Sequence, residues 1–287
     1  MFVIIGLLVV IGSIIGGYLM VGGHLAVLWQ PAELVIIGGS GLGAFIAANS
    51  KETITGAISG VMGLIKGPKY NADDYLELLT LQYQVFRTAR SKGMLALESH
   101  IDNPETSDLF NQFPNFASDH HAVEFFCDYL RLLTLGANNP LEIEAVMDQE
   151  LEDHHNEEHA IVNAIQTVAE AMPALGFVAA VLGGILTMSS ITEPLEMFEG
   201  VIAAALVGTF SGILISYGLL APIAVSLQAT YDVDGHCMTC IKVGLVGHMQ
   251  GYAPQVSVEF ARKTLASHTR PSFQEVEEMT QNLPNVS

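Results

Sequence analysis

The chain is poor in charge, and poorest in positive charge. Only 14% of its 287 residues are Asp, Glu, Lys or Arg, against about a quarter in an ordinary soluble domain. Lys and Arg number 11 against 30 Asp and Glu, a formal charge of -19. Nucleic-acid binding is excluded on that balance, because phosphate contacts need a basic face. Three cysteines cannot pair completely and show no disulfide framework, which fits a reducing compartment. The apolar run from Phe2 to Met20 lacks a basic leader and is too long for a signal-peptide core, so it reads as a retained membrane helix.

Apolar residues, by contrast, make up half the chain. A helix needs roughly 20 of them to cross a ~30 Å hydrocarbon core. Charge-free runs of about that length occur at about 2 to 21, 34 to 49, 171 to 191 and 200 to 226, the second being short and bracketed by Glu33 and Lys51. All the basic residues fall between spans two and three (Lys51, Lys66, Lys69, Arg87, Arg90, Lys92, Arg131) or after span four (Lys242, Arg262, Lys263, Arg270). The positive-inside rule therefore puts the long loop and both termini in the cytoplasm and the connectors at 22 to 33 and 192 to 199 outside. Leu76, Leu79, Tyr83 and Phe86 repeat at helical spacing before Gly93. Segments 118 to 135 and 140 to 159 also read as helices, and turns are expected at Pro104, Pro114 and Asn138-Asn139-Pro140. The expected fold is all-α, a polytopic membrane protein with four transmembrane helices and a large helical cytoplasmic domain. Its parts are a hairpin at 1–49, a helical loop at 50–170, a second hairpin at 171–226 and a helical tail at 227–287.

The spans are bare of titratable groups. No Asp, Glu, Lys, Arg or His lies between Glu170 and Glu193, between Glu199 and Asp232, or in span one. A proton crossing a membrane needs a titratable group or a water wire. If this chain conducts protons, the carboxylate is expected from another chain. Thr209 is the polar side chain best placed in a late span, although such a hydroxyl often bonds only its own helix carbonyl. Pro173 and Pro222 sit at matched depth near the cytoplasmic ends of spans three and four, as helix ends or as bending points. Glycines four apart recur in spans one, two and four, among them Gly12 and Gly16, Gly39 and Gly43, and Gly208 and Gly212, where backbones can approach.

Several stretches resemble the MotA-type flagellar stator family. They include Ala205-Leu206-Val207-Gly208-Thr209-Phe210-Ser211-Gly212-Ile213-Leu214 with Pro222 following, Gln30-Pro31-Ala32-Glu33-Leu34-Val35-Ile36-Ile37, and Pro173-Ala174-Leu175-Gly176-Phe177-Val178-Ala179-Ala180-Val181. Gly251-Tyr252-Ala253-Pro254, Val258-Glu259-Phe260-Ala261-Arg262-Lys263-Thr264-Leu265 and Arg270-Pro271-Ser272-Phe273 carry the match to the end of the chain. The resemblance implies a pentameric ring around a MotB dimer in the bacterial inner membrane, with an aspartate of MotB binding the proton. It implies that Thr209, Ala180 and Pro173 line or shape the ion path and that Pro173 and Pro222 couple protonation to movement. It also implies that Arg90 and Glu98 face charges on the rotor protein FliG. Sodium-driven relatives place hydroxyls where this chain has Ala180 and Gly208, so protons are the expected ion. No cofactor is expected.

Other readings compete. An ExbB- or TolQ-like channel predicts three spans, against the four found. His155-Asn156-Glu157-Glu158-His159 fits the H-x-x-E-H zinc-protease pattern, yet it lies in a dense acidic run starting at Asp148, where a solvated helix is the simpler reading. The region His154 to His159 and the Cys237/Cys240 pair are therefore expected at most to bind metal adventitiously, and an enzyme is not expected. Trp29 beside Pro31 reads as an interfacial anchor.

Overall fold

The computed structural model describes residues 2–66, 69–189 and 195–283, with the side chains of 66, 189, 195–199 and 201 left aside. Of the outer connector expected at 192–199, residues 192–194 lie outside the described residues and 195–199 already belong to a helix. What is described is helical, with no strand. The fold is all-α with four helices long and apolar enough to cross a membrane.

The chain folds into two compact units, residues 1–67 with 156–230 and residues 68–155 with 231–287. These boundaries differ from the four segments read from sequence. The two hairpins form one unit, and most of the loop forms another with the tail.

In the first unit, α1 (Phe2–Met20) buries no residue. It half-buries one stripe, Val3, Leu7, Val10 and Ile14, and leaves its other apolar sides exposed, as a membrane helix does. After the short α2 (Leu25–Leu28), α3 (Pro31–Ala48) starts with proline at its first position, where the missing N–H is no loss. The amphipathic α4 (Lys51–Lys66) follows. Gly56 of α4 packs on Ile161, whose side chain comes within 2.5 Å of a Cβ built there.

In the second unit, α5 (Ala72–Lys92) is central. Asn71 and Asp74 form a capping box at its start, and Gly93, at φ +86°, ends it. The short α6 (Glu98–Asp102) and α7 (Pro114–Ala117) lead to α8 (His120–Thr134), which buries Val123, Phe126, Leu130 and Leu133 at three- to four-residue spacing. The helix expected at 140 to 159 and span three are one 50-residue element, α9 (Pro140–Ser189). It enters the second unit as far as His155 and belongs to the first from Asn156 onward. Span four behaves likewise: α10 (Leu195–Ile213), a π-helical turn (Leu214–Leu220) and α11 (Ala221–Met249) run on, with residues from 231 in the second unit.

Tyr75, Leu79 and Phe86 of α5, Phe126 of α8, and Ile241 and Leu245 of α11 share one core with Val258 and Ala261 of α12 (Pro254–Lys263). The tail thus completes the core that the loop begins. Arg262, 7% exposed, pins it: both ends of its guanidinium meet Glu259, at 2.7 and 2.8 Å, and Nη1 donates to the Pro271 carbonyl. Ser272 and Glu275 cap α13 (Phe273–Gln281). Lys242 joins α11 to Asp148 of α9 at 2.5 Å.

A cavity of about 300 Å³ in this unit is lined by Lys69, Tyr70 and Asp119, among others. Lys69 lies 3.0 Å from Asp119, which also accepts from the Tyr70 hydroxyl. Asp234, beyond the end of span four, has a buried Oδ1 with no hydrogen-bond partner. Burial pushes this carboxyl up to about 6; Lys69 pulls it back and Asp119 pushes it further. A raised carboxyl favours the folded state at low pH and loses that advantage as pH climbs through the folded value. Asp234→Asn is expected to raise the melting temperature at pH 7. The gain should shrink as pH falls and vanish near the unfolded value of 3.8, as read by thermal melts of detergent-solubilised protein.

Candidate ion path

The path residues sit where α9 and α10 cross. A Cβ built on Gly176 would lie 2.9 Å from the Gly208 carbonyl oxygen and 3.0 Å from Gly212 Cα; one on Gly212 would lie 2.6 Å from the Met172 carbonyl. Side chains are excluded there, and backbone meets backbone. By contrast Gly6, Gly12, Gly16, Gly39 and Gly43 face open space. The spacing signal found in three spans thus corresponds to a close crossing within this chain only for span four.

Thr209 and Ala180, each next in sequence to a residue in this crossing, are half-buried, as are Pro173 and Pro222. Among the described residues the Thr209 hydroxyl has no hydrogen-bond partner, so it has not been taken up by its own helix. Around these residues runs an apolar exposed face: Phe177 (64%) and Ile185 on α9, Leu206 (68%) and Ile213 on α10, and Tyr217 (70%) in the π turn. No acid or base lies on α9 from 171 to 189 or on the chain from 200 to 231.

Both prolines lie inside helical stretches and do not mark their ends. Pro173 is within α9, where it leaves the Ala169 carbonyl without a helical donor. Pro222 follows the π turn, whose close is marked by Ala221 N–H donating to the Ser216 carbonyl, five residues back. A π turn relaxes the i→i−4 ladder just before a residue that cannot join it, and such turns gather at functional sites.

In the second unit, Arg90 and Glu98 are both exposed, on either side of the Gly93 turn. Arg90 reaches the Tyr252 carbonyl at 3.3 Å. Arg87 lies over the Tyr83 ring, 5.9 Å from its centre. His155 and His159 are exposed on α9, and no group of three candidate metal ligands gathers among the described residues. Cys237 and Cys240 are 1% and 0% exposed, and burial pushes both thiols well above the range where a thiolate is available.

Two family profiles match: Motility protein A N-terminal over residues 4–93 and the MotA/TolQ/ExbB proton channel family over residues 118–236. Motility protein A of Salmonella typhimurium is 43% identical over 285 residues, 99% of this chain and 97% of its own length. The chain belongs to the MotA/TolQ/ExbB proton channel family. Motility protein A of Escherichia coli is similar to the same extent, 42% identical over 285 residues, with 99% and 97% covered. Among solved structures, C. jejuni MotAB shares the fold at a TM-score of 0.77 and 21% identity, covering 94% of this chain and 98% of that one.

For a member of the MotA/TolQ/ExbB family, one residue near the crossing was missed in the sequence. Glu33 bracketed span two there; in the structure it is buried, 6% exposed, and its carboxyl fills the space beside Gly208. The expectation of a scaffold with no acid of its own is corrected accordingly. Runs of apolar residues reveal where a charge is missing; they do not reveal which neighbouring helix will cover one. The signal available was an acid placed in the first turn of a span, directly after Pro31.

The tight crossing can be tested against an open glycine. Gly212→Ala is expected to destabilise the channel by about 1–3 kcal/mol, the usual penalty of overpacking. Gly184→Ala, with open space around it, should be near neutral. Thermal melts of the two variants side by side check this.

Proposed function

We propose that this chain is the ring subunit of a flagellar motor stator in the bacterial inner membrane, with both termini cytoplasmic, an energy converter and not an enzyme. With a MotB dimer it forms a proton channel, and the proton current turns a ring of these subunits, five in number, against FliG of the rotor. The observation that carries this reading is the apolar, acid-free face around Thr209 on α9 and α10. Such a face is suited to a partner helix bearing a carboxylate, whose charge is uncomfortable beside it until a proton neutralises it. The name MotAB of the C. jejuni neighbour supports such a partner.

On this reading, protonation of the partner's aspartate removes a desolvation penalty of several kcal/mol. The ring then steps, α9 and α10 yielding at Pro173 and Pro222 while Thr209 and Ala180 border the ion. Exposure of Arg90 and Glu98 suits a contact that forms and breaks with each step, where complementary charge governs the rate of engagement.

Introduced with its partner into a stator-less strain, the chain is expected to restore swimming. The speed should collapse with a protonophore and stay constant as sodium is varied; speed that follows sodium would overturn the choice of ion. Reversal of charge at Arg90 or at Glu98 should lower torque while leaving the protein in the membrane. Unchanged torque after both reversals, with Arg87 and Lys92 neutralised, would count against the rotor assignment.

A further inference from the structure

Glu33 has an unusual setting. Its residue is 6% exposed, and Oε2 is inaccessible and without a hydrogen-bond partner. A Cβ built on Gly208 would sit 2.7 Å from that oxygen, 3.4 Å from the carboxyl carbon and 3.2 Å from Ala179 Cβ. The carboxyl thus occupies a niche that exists only because residue 208 has no side chain and residue 179 has a small one. Both are immediate sequence neighbours of the path residues Thr209 and Ala180.

The elements packed on α3 bring no counter-charge to the niche. α9 has no acid, base or histidine from 171 to 189. α10 has Glu196 and Glu199 in its first turns, side chains outside the described residues, and no titratable group from 200 to its end at Ile213. One compensating influence remains. Glu33 lies in the first turn of α3, whose positive end favours an anion by about 0.3–1 kcal/mol. That is well short of the several kcal/mol lost when a carboxylate is buried without donors. Oε2 faces α10 at Gly208, so separation of α10 from α3 there admits water or a donor to that oxygen and makes the charged form easier to hold.

We propose that Glu33 is a second proton-handling carboxyl of the channel: it takes up a proton from the outer side and releases it toward the path beside Thr209 when α10 separates from α3 at Gly208. The inference rests on the stator reading and adds to it a group on this chain. Gly208, having no side chain, makes room for an oxygen that carries a proton. The transfer is a simple one, with the acid's O–H bond breaking as the proton passes to water in the path and the carboxylate re-forming its O–H bond with a proton from outside.

The full chain is tested with its partner in a stator-less strain, with stator units counted by a fluorescent tag and zero-load speed measured across external pH. If wild type restores no swimming, the stator reading fails and the proposal with it. If wild type swims, Glu33→Gln is expected to engage in normal numbers, to lose several-fold in zero-load speed and to show a flattened pH profile, with Glu33→Asp restoring part of both. Normal unit numbers with unchanged speed and pH profile in Glu33→Gln would overturn the proposal. So would loss of units from the motor in both Glu33→Gln and Glu33→Asp, which would make the residue a packing element. A wild-type speed that tracks sodium and loses that dependence in Glu33→Gln would also overturn it, by making the ligand sodium.

Discussion

The membrane unit depends on the contact between α9 and α10 at Gly176, Gly208 and Gly212. Lipid tails are as apolar as the helices themselves, so burial alone gives two spans little reason to associate; close backbone packing has to supply the attraction. At this crossing a Cβ on any of the three glycines would lie within about 3 Å of a neighbouring atom. The same lack of a side chain at 208 opens the niche that Glu33 fills. Packing and titratable chemistry are therefore set by one residue, and movement of one disturbs the other.

That crossing is flanked by backbone that departs from a regular helix. Pro173 interrupts the ladder of α9, and the π turn at Leu214–Leu220 precedes Pro222. Each leaves carbonyls outside the ordinary i→i−4 pattern, so bending there breaks fewer bonds than it would elsewhere. The second unit is organised differently. Its core draws on α5, α8, α11 and α12, and its charged groups are held in pairs such as Arg262 with Glu259 and Lys242 with Asp148. Arg90 and Glu98 remain exposed on that frame.

Much of this was legible in the residues. The four spans, the helical loop, the stop at Gly93 and the family itself follow from hydropathy, spacing and the motif around Thr209. Other features were not. The junctions at 159–171 and 226–227 read as boundaries because composition changes there from acidic to apolar, yet a helix needs only continuous backbone hydrogen bonds, and α9 runs through the first without a break. The glycine pattern was equally strong in three spans, but spacing cannot say which face meets a neighbour, and only Gly208 and Gly212 met one in this chain.

The sequence by itself determined the class of molecule. A run of about twenty apolar residues has few stable options besides a membrane helix, and the placement of eleven basic residues gives the orientation expected for such helices. The tertiary structure decided which groups face one another: Glu33 against Gly208, the tail within the loop's core, and Asp234 unpartnered near Lys69 and Asp119. Those outcomes depend on contacts between residues far apart in the chain, and the side chains that bury or expose a carboxyl belong to helices whose neighbours are chosen only when the whole chain packs.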